Sequence, residues 1–261
     1  MKYLKILKNS FSYYLIYIFT IFLCTIPYNF ICGITDGSNG TTGNSNDRLL
    51  KNLVIISAIA AILTLRTYIR MFRKQEISLS KICKFKKVNL RNSLIVILCS
   101  FGLVLFSSSL VDLLMSKFPS YIETSKIISS NTNSILGIIS IILILPLFEE
   151  ILFRGLIFND LKKHLNITIA IVIQGFLFAI AHGNILQSIY TFILGIVLAI
   201  VYDKLNSIIA PMLLHVTYNL LGSILIPILS SIINGTVILY LALGLIMFLI
   251  SLFLLFTSAE I

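Results

Sequence analysis

Apolar residues run along this chain in long unbroken stretches, separated by short polar clusters. Eight stretches approach the roughly 20 apolar residues that a helix needs to cross the hydrocarbon core of a bilayer. They fall at about 11–33, 50–66, 93–115, 134–158, 167–182, 186–203, 206–225 and 236–257, the second and fifth being the shortest. Lipid-exposed strands would alternate apolar and polar residues with period two, and these stretches do not. The pattern therefore predicts an all-α fold, a polytopic transmembrane helical bundle of about eight spans. Its organisation reads as an N-terminal part, 1–92, with two spans and a basic segment; a core, 93–225; and a C-terminal part, 226–261, with the last span. Residues 34–49, rich in Gly, Asn and Ser, read as a polar loop, and 116–133 and 226–235 as further connections. The first stretch follows lysines, as in a signal peptide. It runs beyond twenty residues without a small-x-small cleavage site, so it reads as a first span. No inverted repeat of the kind found in transporters is evident.

Composition removes the soluble alternative. Hydrophobic residues make up 58% of the 261 residues and charged residues 11%, too little polar surface for a water-soluble globule. The net charge of +10 would suggest nucleic acid in a soluble protein, but its distribution points elsewhere. Residues 66–92 hold Arg66, Arg70, Arg73, Lys74, Lys81, Lys84, Lys86, Lys87 and Arg91 against the single acid Glu76. Interleaved aromatics and recognition motifs are missing there, so no nucleic-acid partner is expected. A basic juxtamembrane segment belongs on the cytoplasmic side, against anionic lipid. Lys2, Lys5, Lys8, Lys162, Lys163 and Lys204 fall on the same side of an eight-span chain, which predicts both termini in the cytoplasm. Short loops and richness in Ile, Lys and Asn suggest a bacterial plasma membrane. Cys24, Cys32, Cys83 and Cys99 are scattered, without metal-ligand spacing, and the terminal Ser-Ala-Glu-Ile is not a prenylation signal.

Ionisable groups at hydrocarbon depth are costly and mark function. They gather in three places: Glu149, Glu150 and Arg154 in the fourth stretch; His182, four residues after Phe178, at the end of the fifth; and His215 with Asn219 in the seventh. Glu150 and Arg154, four apart, share a helix face and can neutralise each other. Glu149 is rotated about 100° away, free to face a cavity and act as a general base. Phe178 can pack beneath the imidazole of His182. His215 and Asn219 share a face and can direct two donors at a developing oxyanion. A base, an orienting imidazole and an oxyanion site suit water-mediated acyl hydrolysis. Taken singly, each element also suits a structural role, as a buried ion pair or interhelical hydrogen bond. Two other classes therefore stay open: a non-catalytic membrane scaffold or bacteriocin-immunity protein, and a proton-coupled transporter. Asp112 is the main other charge at depth.

The order EExxxR, FxxxH, HxxxN on separate spans, from Glu149 to Asn219, resembles the CPBP (CAAX protease and bacteriocin-processing, or Abi) family, which includes the type II CAAX prenyl endopeptidases. The resemblance implies an eight-span intramembrane endopeptidase with a conical cavity open to the cytoplasm. In it Glu149 and His182 would activate the attacking water, and His215 and Asn219 would form the oxyanion hole. Glu150, Arg154 and Phe178 would support them. The substrate it implies is a membrane-embedded peptide or protein tail. The cofactor stays open: Glu149, His182 and His215 are residue types that zinc accepts, yet there is no HExxH and Asn is a poor zinc ligand. Depth raises a conflict. Glu149 reads toward the inner end of its span, His215 in the middle and His182 near the outer end. A shared site requires the fifth span to be tilted, shifted or broken near Gly183.

Overall fold

The computed structural model describes residues 2–39, 45–227 and 236–258. Among these, every regular element is a helix. In chain order they are α1 (Lys2–Asn39), α2 (Ser45–Arg73), the short α3 (Leu79–Ile82), α4 (Leu90–Leu114), α5 (Tyr121–Asn131), α6 (Ile135–Lys162), α7 (Ile167–Ile180), α8 (Ile185–Leu205), α9 (Ile209–Leu225) and α10 (Val237–Ser258). Six contain segments long and apolar enough to cross a membrane: Phe11–Ile34, Asn52–Arg73, Leu90–Lys117, Ile135–Lys162, Ile185–Leu205 and Val237–Thr257. The two shorter apolar helices, α7 and α9, lie on the fifth and seventh sequence stretches. The fold is an all-α polytopic bundle, and the chain is an integral membrane protein.

Several boundaries differ from the sequence reading. The second stretch is not short, because α2 continues through Arg66 and Arg70 to Arg73. Arginine is a good helix former, and a charged last turn costs nothing where the helix leaves the apolar layer. Within the polar stretch 34–49 the described residues are helical rather than loop: α1 runs to Asn39 and α2 starts at Ser45. Within 116–133, α5 forms a helix of its own. The expected connection at 226–235 lies almost wholly outside the described residues.

Helix starts follow local chemistry. Asn89, Asn166 and Asn184 cap α4, α7 and α8 by accepting from the backbone N–H three residues on, at 2.8, 2.9 and 3.2 Å. Ser134 caps α6 in the same way at 3.0 Å. α8 stops at Asn206, whose left-handed backbone (φ 49°) ends the helix. Between spans, close approach supplies what the hydrophobic effect cannot. α4 packs along α10, where a Cβ on Gly102 would lie 2.5 Å from the Phe248 nitrogen and one on Gly244 2.5 Å from the Phe106 nitrogen. The interior is apolar, with Tyr68, Leu103, Leu152, Phe158, Phe178 and Tyr202 almost wholly buried. The exposed faces of α1 and α10 are equally apolar (Phe19, Phe22, Phe30, Phe253), as a lipid-facing surface requires.

Helix α6 is irregular where the candidate residues sit. Its turns widen to i→i+5 spacing over Ser140–Ile144 and again over Ile151–Phe158, and Pro146 lies between them. A further wide turn, Leu221–Leu225, follows Asn219 in α9. Such turns leave carbonyls without their usual helical partner and recur at functional sites.

Candidate active site

Glu149 and Glu150 sit near the middle of α6, between its two wide turns. Glu150 and Arg154 have completely buried side chains and pair at 2.8 Å between Arg154 Nη1 and Glu150 Oε1. The same Oε1 accepts from His215 Nδ1 at 2.7 Å. Arg154 also donates from Nη2 to the Gly195 carbonyl of α8 at 3.2 Å, and its guanidinium lies 4.4 Å from the centre of the Phe178 ring. One carboxylate oxygen thus joins α6 to α9, and one guanidinium joins α6 to α8.

Glu149 points elsewhere, as the 100° rotation requires. Its side chain keeps 22% of its exposure, and its Oε2 is 3.8 Å from His215 Nε2. His215 is therefore held between the two glutamates. With Arg154 already donating to Glu150 Oε1, that oxygen is an acceptor, so His215 Nδ1 carries the proton of their bond. Nε2 is then the nitrogen turned toward Glu149.

His182 is fixed from its own helix end. Its Nδ1 lies 2.8 Å from the Phe178 carbonyl oxygen, which accepts the Nδ1 proton and leaves Nε2 as the free lone pair. Phe178 packs edge-on against both imidazoles, with ring centres 4.8 Å from His182 and 5.7 Å from His215. The conflict of depth dissolves for two reasons. α6 extends to Lys162, four residues beyond the expected end, so Glu149 is central rather than terminal. α7 has 14 residues, about 21 Å at 1.5 Å per residue, and its last turn sets Phe178 against both imidazoles, which brings His182 to the same cavity as His215. The chain then turns at Gly183, whose φ of 72° a side-chain-bearing residue would adopt only with strain.

Asn219, one turn beyond His215, donates from Nδ2 to the Ile141 carbonyl at 3.0 Å. Ile141 belongs to the first wide turn of α6, so Asn219 uses an acceptor that the turn exposes. One amide proton and Oδ1 are left for other partners.

Glu149, His182, His215 and Asn219 line a single cavity of about 550 Å³. Its wall alternates apolar groups (Val104, Val111, Leu145, Leu194) with polar ones (Ser107, Thr191). Asp112, singled out by charge but given no role, is part of the same lining, as are Tyr121, Tyr190 and Gln187. The tyrosines and Gln187 carry no sequence signal that marks them as site residues, because they are brought here only by helix packing. Among the described residues, no three His, Cys, Asp or Glu side chains converge closely enough to hold a metal ion. With Nδ1 committed to Glu150 and to the Phe178 carbonyl respectively, His215 and His182 each have only Nε2 to offer a metal. A second hollow of about 640 Å³, lined by Leu65, Arg73, Phe85 and Ile151 among others, contains none of the candidate residues.

Residues 131–221 match the family model for type II CAAX prenyl endopeptidase Rce1-like proteins, a protease family. The matched segment is roughly a third of the chain, and it contains all seven residues from Glu149 to Asn219 discussed above. Neither a curated protein nor a solved structure matches the chain.

Proposed function

From an Rce1-like type II CAAX prenyl endopeptidase segment seated in a membrane-spanning bundle, we propose an intramembrane endopeptidase that cleaves a membrane-associated peptide or protein tail. One observation carries the reading: Glu149, His182 and the His215–Asn219 pair, from three different helices and their ends, line one cavity. That cavity is large enough for a short stretch of extended peptide and is walled by both apolar and hydrogen-bonding groups.

In this reading a water molecule between Glu149 and the free Nε2 of His182 is the nucleophile. Glu149 accepts a proton as the water oxygen bonds to the scissile carbonyl carbon. The carbonyl π electrons move to its oxygen, where Nε2–H of a doubly protonated His215 and the spare amide proton of Asn219 donate to the oxyanion. Glu150 supports that imidazolium through Nδ1–H, and Arg154 holds Glu150. When the tetrahedral species collapses, the C–N bond breaks and the departing amine takes the proton from Glu149. No step is routed through a metal. The basic residues of 66–92 are proposed to rest on anionic lipid headgroups, which supports a cytoplasmic position for that end.

The test is cleavage of a quenched fluorescent peptide library, prenylated and plain, by purified protein in detergent. Glu149→Gln should lower turnover by about 10²–10⁴-fold with folding unchanged, and His215→Ala should do so as well in the fraction that folds, at some cost in stability from its lost bond to Glu150. Folded wild type that cleaves no peptide would replace this reading with a binding scaffold. A parallel series with a chelator reads any contribution from metal directly.

A further inference from the structure

The two ends of the bundle differ in charge, and the cavity belongs to one of them. The basic residues of 66–92 are assembled at one end with Lys162, Lys163 and Lys204. Lys84 Nζ donates to Asn206 Oδ1 at 2.6 Å, Lys162 pairs with Asp203 at 2.6 Å, and Lys204 lies 5.1 Å from the Phe256 ring near the end of α10. Glu76, Asp160 and Asp203 are the acids there. At the opposite end the 116–121 and 182–185 segments lie side by side, joined by Asn184 Nδ2 donating to Ser120 Oγ at 3.3 Å. The charges described at that end, Asp112 and Glu123 against Lys117 and Lys126, cancel.

From Glu149 toward the basic end the cavity does not continue: the hollow at that end, lined by Arg73, Glu76 and Phe85, reaches Ile151 but none of the candidate residues. Every residue from Ile151 to Phe158 is buried. Beneath them the 82–86 strap is fastened across the helix ends by its own carbonyls. Asn159 Nδ2 donates to Ile82 at 3.0 Å, the backbone N–H of Ile208 donates to Lys84 at 3.1 Å, and Ser207 Oγ donates to Lys86. From Glu149 toward the other end the cavity continues past Ser107, Val111 and Ser125 to a rim where Asp112 and Pro227 are exposed. The lining comes from the C-terminal half of α4, α5, α6 up to Glu149, His182, the N-terminal half of α8, and α9 from His215 onward, and it runs from the middle of the bundle toward the uncharged end.

A basic end is retained on the cytoplasmic side during insertion. We propose that the mouth of this cavity faces away from the cytoplasm, and that the substrate is a peptide segment presented from the non-cytoplasmic side: an exported peptide, or the outward juxtamembrane stretch of a membrane protein. This deepens the hydrolytic reading and rests on it for the word substrate. It departs from the cytoplasmic opening that the resemblance implied. The positive-inside rule and a cytoplasmic mouth cannot both hold for a bundle built this way, because the residues that seal the site are those beside the basic end.

The experiment uses full-length protein in a bacterial host, with Cys24 and Cys32 replaced by Ala and the buried Cys83 and Cys99 retained. Glu123→Cys marks the mouth end and Lys74→Cys the basic end; both positions are exposed. A membrane-impermeant maleimide added to intact cells should label Glu123→Cys within minutes, and Lys74→Cys only after permeabilisation. The reverse pattern, or equal labelling of both in intact cells, overturns the proposal. Sealed vesicles then read the substrate side: a cleavable peptide added outside should be hydrolysed by right-side-out vesicles at least ten times faster than by inverted ones. Faster hydrolysis by inverted vesicles also overturns it. Detergent-solubilised protein serves as the separate control, since loss of cleavage there would strike the hydrolytic reading whichever way the labelling falls.

Discussion

Glu150 ties the site together through a single oxygen. Its Oε1 accepts from Arg154 of its own helix and from His215 of α9, so three titratable groups are ordered by two direct bonds. The i,i+4 spacing made the first of these bonds legible in the sequence. The second was not, because nothing in the local pattern states that α9 will lie against that face of α6. Removing one partner of a wholly buried pair strands the other charge. Arg154→Ala should therefore lower stability by about 3–5 kcal/mol, measured by thermal unfolding in detergent. Glu149→Gln should barely alter stability, since its side chain is partly exposed and its one contact across to α9, with His215 Nε2, is long at 3.8 Å. Cys83 gives a check on packing outside the spans. Burial pushes its thiol up to about 12, so the neutral form is favoured in the fold. The stability that this contributes is whole below the ordinary thiol range and is lost as pH rises through about 12. At pH 8 roughly one thiol in 10⁴ is ionised, so Cys83 should resist maleimide in the native protein and react on unfolding, as followed by mass spectrometry.

At the scale of elements, irregular helices make the site. The wide turns of α6 flank Pro146, Glu149 and Glu150, and the first supplies the carbonyl that Asn219 occupies. A strict 3.6-residue repeat describes the neighbours of Glu150 correctly, yet it cannot announce where an extra residue will be inserted into a turn. The shortness of α7 was partly legible: the need for a break near Gly183 followed from motif order. That α9 would also fall short of a full span, and α2 be long, was not, because the ends of apolar runs do not show where a helix stops. Small residues set the α4–α10 contact. Gly244→Leu would drive side-chain atoms against the Phe106 backbone, which has no rotamer with which to yield. An overpacked helix pair of this kind should lose about 1–3 kcal/mol, seen as a lower unfolding temperature in detergent.

For the whole molecule the governing feature is the distribution of charge along the membrane normal. If the basic segment sets orientation, replacing Lys74, Lys81, Lys86 and Lys87 together by Gln should yield a mixed population. Reporter fusions at the C-terminus, one active only inside the cell and one only outside, would measure it. A uniform orientation in that variant would show that other segments dominate. None of these lysines lines the candidate cavity, so cleavage in detergent should be unchanged.

The sequence by itself determined the solvent of this protein, its all-α class, the eight apolar stretches and the ordered trio of motifs. These are properties of composition and of spacing along one helix, and helical geometry converts them to a face without reference to anything else. It also isolated Glu149 from the Glu150–Arg154 pair by rotation alone. Only the tertiary structure decided that His215 bridges both glutamates, that Asn219 reaches Ile141, that Asp112 and three α5 and α8 residues join the same cavity, and toward which end of the bundle that cavity runs. Each of those depends on how far one helix slides along another and where its turns widen. Those quantities are set by packing between residues distant in the chain, so no local pattern carries them.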